Sequence, residues 1–279
     1  MKQAMILAAG FGKRLRPLTE HTPKPLIEVG GKPLIVWHIQ RLAQAGVKNL
    51  VINHSWLGEQ IVKYLGDGQS WGVHIQYSAE PTPLETATGV KRALPLLAPE
   101  PFLLISSDIW CPWPVQKLLA AGRQLDGRQR LGHLLLVDNP PHHPHGDMYF
   151  DPKPYVQSCP APSTPSAQAA PSTSSAQAAP LAPSVPAQGQ SQSLATNTTA
   201  AKLPAPCLTY SGLAILHPNF FHDCPTERPQ ALRVPLKKAM KQQQLTAEHI
   251  HSPWFDVGTL QRLSALEQYL AQNAQGVMI

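Results

Sequence analysis

Residues Leu7–Leu26 read LAAGFGKRLRPLTEHTPKPL, and the fold and chemistry of the chain follow from this stretch. It continues a short apolar run, Ala4, Met5 and Ile6, that predicts a first, fully buried strand. A strand running into small residues and two glycines, Gly10 and Gly12, gives a bare backbone turn whose N–H groups can close around an anion. Lys13, Arg14 and Arg16 follow at once, and Lys24 stands between Pro23 and Pro25, which stiffen its backbone. From Lys2 to Lys24 there are five lysines and arginines against one acid, Glu20, a balance suited to a polyphosphate. A lysine held in place by its neighbours also loses less entropy on gripping a phosphate. Two other glycine-rich loops do not fit. The Walker pattern is absent, and the dinucleotide pattern GxGxxG fails at its third glycine, where Leu15 stands.

Downstream, strand and helix patterns alternate. Val47–Asn53, Val73–Tyr77, Phe102–Ile105 and Leu131–Val137 are rich in Val, Ile and Leu and predict buried strands. Between them, Pro33–Ala45, Gly58–Leu65 and Leu84–Leu97 carry apolar residues at helical spacing. Repeated βα units predict an α/β fold with one doubly wound, mostly parallel mixed sheet of Rossmann-like type, binding ligands at the carboxyl ends of its strands. That places the glycine loop, the Pro83–Thr86 turn and Asp108 on one rim. A last helix is expected from Thr259, a natural N-cap, with Leu260, Leu263, Leu266 and Leu270 on one face. Asp108 ends an apolar strand, where an uncompensated charge is costly unless paired or metal-bound. Asp256, in WFDVGT, precedes the turn into the last helix. Oxygen ligands beside phosphates suit Mg²⁺, although each aspartate could instead cap a helix or form an ion pair.

The whole twenty-residue string resembles the signature LAAGxGxRxxPLTxxxPKPL of the sugar-1-phosphate nucleotidyltransferases. INHSWLGEQI (52–61), PLET (83–86), LLISSD (ending at Asp108), VDNPPHHPHGD (137–147), TYSGLAILHP (209–218) and WFDVGT (254–259) extend the likeness. Together they are most similar to the short bacterial N-acetylmuramate α-1-phosphate uridylyltransferases of cell-wall sugar recycling, over residues 1 to about 155 and 207 to 272. The resemblance implies that a sugar phosphate oxygen attacks the α-phosphorus of UTP and pyrophosphate leaves. It implies that Arg14 holds the β- and γ-phosphates, that Lys24 binds the attacking or α-phosphate, and that Mg²⁺ bridges Asp108 and Asp256. Ala8, Ala9, Gly10, Gly12 and Lys13 would meet the nucleotide, with Glu80 and Thr86 near its base. Glu85, Ser106, Asn139, Asp147, Ser211 and Trp254 are the expected sugar-binding residues. For several of these a plainer role stays open: Glu85 can start a helix, Asn139 and Asp147 can serve a turn, and Trp254 can be core. His142, His143 and His145 are read as a solvated or sugar-lining loop rather than a metal cluster.

Where relatives carry glycines after Leu-Glu-Thr this chain has Ala87 and Thr88, and Ser107 stands where they have a glycine before the metal aspartate. Both changes are expected to add atoms near the nucleotide. Lys153 is the nearest candidate for a second lysine of longer relatives. Other readings are a glucose- or mannose-1-phosphate enzyme using another base, and a silent sugar-nucleotide-binding regulator.

Residues 159–206 are a separate stretch, with no aromatic residue, one charge (Lys202) and the hexapeptide SAQAAP at Ser166 and again at Ser175. Such a segment cannot bury enough apolar surface to offset its ordering entropy, so a disordered insertion is expected within a single nucleotidyltransferase domain spanning residues 1–279. The apolar start is too short for a signal peptide and no run approaches a membrane span, so a cytoplasmic protein is expected. Cys111, Cys159, Cys207 and Cys224 show no CxxC spacing, which predicts reduced thiols. The formal charge of +6 is scattered rather than interleaved with aromatics. The expected partners are therefore the two small-molecule substrates, not nucleic acid or a membrane.

Overall fold

Strand β1 (Gln3–Leu7) lies inside the sheet, between two neighbouring strands, and its residues alternate between two apolar layers: Ala4 and Ile6 face one, Met5 the other. The computed structural model describes residues 2–160 and 206–273. The expectation of disorder over 159–206 falls, for 161–205, outside the described residues. The chain continues through β2 (Glu28–Val29), β3 (Lys32–Pro33), α1 (Leu34–Gln44), β4 (Asn49–His54), α2 (Gly58–Leu65), β5 (His74–Ala79), α3 (Glu85–Ala93), β6 (Phe102–Ser106) and β7 (Ile109–Trp110). It goes on through α4 (Val115–Gly122), β8 (Gly132–Val137), β9 (Met148–Phe150), β10 (Val156–Ser158), β11 (Thr209–Leu216), α5 (Arg233–Lys241), β12 (Leu245–His249), β13 (Phe255–Asp256) and α6 (Leu260–Gln272).

Seven strands form the main sheet in the order β12-β8-β11-β6-β1-β4-β5. Only β11 runs antiparallel, against both β6 and β8, so the sheet is mixed but mostly parallel, as the repeated βα pattern predicts. From β1 the chain steps outward to β4 and β5, then returns to the other side of β1 for β6. The direction of winding therefore reverses at β1, and a crevice opens there beyond the carboxyl ends of the strands. The loops after β1 and β6 meet in it: Ser107 N donates to Leu7 O at 3.1 Å.

Helices α1, α2 and α4 cover one face through residues such as Ile35, Ile39, Ile61 and Leu118, while α3 and α5 cover the other through Val90, Ala93, Leu236 and Met240. The apolar stripe of α6 docks apart from both: Leu266 and Leu270 pack with Trp37, Trp110 and Val257. Thr259 caps this helix as expected, accepting from Arg262 N, but Leu260 is exposed rather than part of the stripe. The helix expected over Leu84–Leu97 stops at Ala93 and tightens into a 3-10 turn, Leu94–Leu96. Pro95 has no N–H to donate and crowds the carbonyl one turn earlier.

The expectation of four reduced thiols is corrected in part. Cys111 and Cys224 are free and buried, but Cys159 and Cys207 form a disulfide. Sequence spacing could not reveal this, because backbone pairing across the insertion brings the two together. Leu208 N donates to Met148 O at 2.7 Å, and Cys159 N to Asp147 O at 2.9 Å.

His38, on α1, is fully buried, and burial, reinforced by Arg41, lowers its pKa from 6.5 to about 3. The unfolded chain takes up a proton near pH 6.5 that the folded chain refuses until about pH 3. Stability supplied by neutral His38 is therefore complete above 6.5 and is lost on acidification through that window. Between pH 7 and 5, urea unfolding of the wild type should lose about 2 kcal/mol more than that of His38→Gln. A wild-type-to-variant difference that does not change with pH would contradict this assignment.

Candidate active site

The loop after β1 is built to leave its backbone open. Among the described residues nothing stands within 4 Å of where a Gly10 Cβ would be, whereas Gly12, at φ +63°, would push a Cβ to 2.7 Å from Thr19 Cγ2. Thr19 Oγ1 and Leu15 N both bond Gly12 O, at 2.9 and 2.8 Å, and hold the turn in shape. Beside it lies a cavity of about 620 Å³. Ala8, Ala9, Gly10, Gly12, Lys13, Arg14, Lys24, Glu80, Glu85, Thr86, Ser106 and Asp108 all line it. Residues spread over a hundred positions of sequence are thus brought to one rim.

One wall rests on a hydrogen-bond chain that reading the sequence did not single out. Ala8 N donates to Asn53 Oδ1 at 3.0 Å, Asn53 Nδ2 to Glu80 Oε1 at 2.7 Å, and Leu84 N to Glu80 Oε2 at 2.9 Å. Asn53 and Glu80 are both buried, so this network ties the ends of β1, β4 and β5 to the turn before α3. In sequence Asn53 appears only as a polar residue closing an apolar strand, inside the INHSWLGEQI segment. Glu85 both opens α3 and lines the cavity, with a left-handed φ of 62°. For a residue with a Cβ that conformation costs about 1–2 kcal/mol, a strain of the kind found at working sites.

Lys24, Asp108 and Gly258 line the cavity too, and Asp256, Arg262 and His142 stand beside them without lining it. Antiparallel pairing of β13 with β7 sets Asp256 across from Ile109, and Val257 N donates to Asp108 O at 2.9 Å. Backbone pairing therefore makes the two aspartates neighbours along the paired strands, although 148 positions separate them. Lys24 Nζ contacts Asp108 Oδ2 at 2.6 Å from a short turn between Pro23 and Pro25. Asp256 Oδ2 accepts from Arg262 Nη1 at 2.7 Å and lies 3.5 Å from His142 Nε2. Among the described residues Asp256 Oδ1 is buried with no hydrogen-bond partner, which leaves one carboxylate oxygen open to a cation. Gly258 makes room for that corner. A Cβ there would collide with Arg262 Nη2 and lie 2.9 Å from Asp256 Oδ1 and 3.0 Å from Arg14 Nη2. Arg262 pairs with the carboxylate, and the Arg14 guanidinium also comes close to Gly258. Cys111, the nearest thiol along the chain, is buried and its pKa is pushed up to about 12, so it offers no nucleophile.

Other expected residues lie outside the lining of this cavity. Asn139 staples its loop, donating to Pro144 O and Cys207 O and accepting from Thr209 Oγ1. Asp147 accepts from Tyr210 N and pairs with His143. Ser211 is fully buried in the β11 bulge, and its carbonyl accepts from Trp254 Nε1 at 2.9 Å. Trp254 packs against the core. Lys153 Nζ lies 5.7 Å from the Phe150 ring. Ala87 and Thr88 do not approach the cavity as expected. Ala87 packs in the core with Val90, and Thr88 Oγ1 donates to Arg228 O at 2.7 Å. Ser107 does line the cavity.

The family model described as Nucleotidyl transferase matches residues 3–168. An N-acetylmuramate alpha-1-phosphate uridylyltransferase from Neisseria meningitidis is 37% identical over 94% of this chain and 95% of its own. A mannose-1-phosphate guanyltransferase from Gibberella zeae is 40% identical, but over 42% of this chain and 33% of its own. Among solved structures, a Bacillus anthracis protein in complex with sucrose superposes with a TM-score of 0.72 at 17% identity, covering 99% of this chain and 96% of its own. HddC from Yersinia pseudotuberculosis, complexed with GMP-PN, gives 0.67 at 17% identity, covering 97% and 100%. At these identities the structural likeness speaks for the fold.

Proposed function

The chain belongs to the nucleotidyl transferase family and is a sugar-1-phosphate nucleotidyltransferase, and on that premise we propose that it transfers a uridylyl group from UTP to N-acetylmuramate α-1-phosphate, giving the UDP-sugar and pyrophosphate. The observation that carries the chemistry is the convergence of an open glycine loop, Arg14, Lys24 and Asp108 on one cavity, with Asp256 set beside Asp108 by strand pairing. The choice of sugar and base rests on the Neisseria meningitidis relative, whose likeness runs almost end to end. The guanyltransferase likeness supports a second reading, a purine triphosphate, but it is confined to 121 residues.

In the proposed reaction a phosphate oxygen of the sugar phosphate attacks the α-phosphorus of UTP in line. A P–O bond forms as the bond to the β-phosphate oxygen breaks, and pyrophosphate carries away the electron pair. No covalent intermediate with the protein is needed, so the residues act by positioning and by offsetting charge. The backbone of residues 8–12 and the Asn53–Glu80 brace would hold the nucleoside end. Arg14 would grip the β- and γ-phosphates and steady the leaving charge. Lys24, shared with Asp108, would draw the attacking phosphate towards the same point.

Asp108 and Asp256 would hold Mg²⁺, and the orphaned Asp256 Oδ1 is the observation that fits the ion. Bound there, Mg²⁺ would screen the repulsion between the two phosphates. We place the protein in the cytoplasm, in peptidoglycan recycling. Among the described residues no helix is long and apolar enough to cross a membrane. With both substrates and Mg²⁺, product analysis should find UDP-N-acetylmuramate and pyrophosphate in equal amounts, and chelation by EDTA should stop both. Pyrophosphate release without the UDP-sugar would count against the proposal.

A further inference from the structure

A second group of potential metal ligands lies outside the lining of the cavity. Asp138 is the first residue after β8, and His249 is the last residue of β12. The two strands pair in parallel with His249 opposite Leu136, and Ile250 N donates to Leu136 O at 2.8 Å, so their ends are locked together. His249 and His251 are two positions apart in extended chain and project to the same side, with ring centroids 4.2 Å apart. His249 Nε2 lies 2.9 Å from Asp138 Oδ1, and His251 Nδ1 lies 3.7 Å from Asp138 Oδ2. One ligand atom from each residue falls within 4.8 Å of the other two.

We propose that Asp138, His249 and His251 form a site for a divalent transition metal such as Zn²⁺, separate from the Asp108–Asp256 pair. Two imidazoles and one carboxylate suit Zn²⁺ and its neighbours in the first transition row, whereas Mg²⁺ prefers an all-oxygen shell. Around a tetrahedral ion with bonds of about 2.0–2.1 Å, ligand atoms lie roughly 3.4 Å apart. The two histidines lie 2.9 and 3.7 Å from the two oxygens of Asp138, and one ligand atom from each residue lies within 4.8 Å of the others, so a modest side-chain adjustment would reach that value. The side chains that must close in are the freest to move: those of Asp138 and His251 are about three-quarters exposed, while that of His249 is 26% exposed and anchored in its strand. Three protein ligands leave a coordination position for water or for a further ligand.

The position also gives a bound ion a mechanical role. Asp138 opens the loop that carries Asn139 and Asp147, and His251 leads into the segment that carries Trp254 and Asp256. An ion here would fasten those two segments to each other at their roots. Exposed histidine–carboxylate pairing alone contributes little and would show no affinity for a metal, which makes the two readings separable.

The test is titration of metal-stripped, untagged full-length chain with Co²⁺ at neutral pH. Excess Mg²⁺ is present throughout to occupy oxygen-only sites. The expected result is one equivalent of Co²⁺ with visible ligand-field absorption, displaced by Zn²⁺. That equivalent should be lost in His249→Ala and in His251→Ala and retained in His143→Ala, with far-UV circular dichroism unchanged in all three. Absence of binding, retention of the equivalent in both His249→Ala and His251→Ala, or a thiolate charge-transfer band would overturn the assignment.

Discussion

Asp256→Ala is expected to cut turnover at saturating Mg²⁺ by at least about 10²-fold with the fold intact, and Asp108→Ala to do the same. Both carboxylates stand at the ends of strands that pair through backbone atoms, so truncating either side chain leaves the β7–β13 pairing in place. What each variant loses is anionic charge at the point where two phosphates must approach. In Asp256→Ala the loss is compounded, because Arg262 Nη1 loses its carboxylate partner at 2.7 Å. Steady-state kinetics with thermal melts as a folding control decide the matter. Wild-type turnover in either variant would remove that residue from the metal site.

The next largest effects should come from the two cations of the signature loop. A charge-assisted contact to phosphate typically contributes about 1.5–3 kcal/mol, which corresponds to roughly 10- to 150-fold in rate or affinity. Lys24→Ala should therefore raise KM for the sugar phosphate or lower kcat. Its Nζ is already aimed at Asp108 across the cavity floor, at 2.6 Å. Arg14→Ala should act mainly on pyrophosphate departure, and so slow the reverse reaction with pyrophosphate as strongly as the forward one. Unchanged kinetics in both variants would reduce the loop to a structural turn.

The parts of this site that were readable in sequence are those encoded by local pattern. The apolar run before Leu7, the two glycines and the proline-bracketed Lys24 predict a strand, an open turn and a fixed cation, and each is found. Alternating βα units place the loop and Asp108 on one rim, because parallel strands put their carboxyl ends on the same side. Features that depend on distant pairing were not readable. Asn53 matters because it bonds Ala8 and Glu80, 45 and 27 positions away. Arg262 matters because β13 pairs with β7, and neither two-residue strand has a pattern of its own. The Cys159–Cys207 disulfide depends on chain segments separated by the insertion. Ser211 reads as a polar residue in a family segment, yet the β11 bulge turns it fully inward.

The most direct test of the account is a matrix of the four ribonucleoside triphosphates against several sugar-1-phosphates, read as Mg²⁺-dependent pyrophosphate release and compared by kcat/KM. UTP with N-acetylmuramate α-1-phosphate should exceed every other pair. A clear preference for glucose-1-phosphate, mannose-1-phosphate or a purine triphosphate would contradict the proposed substrates.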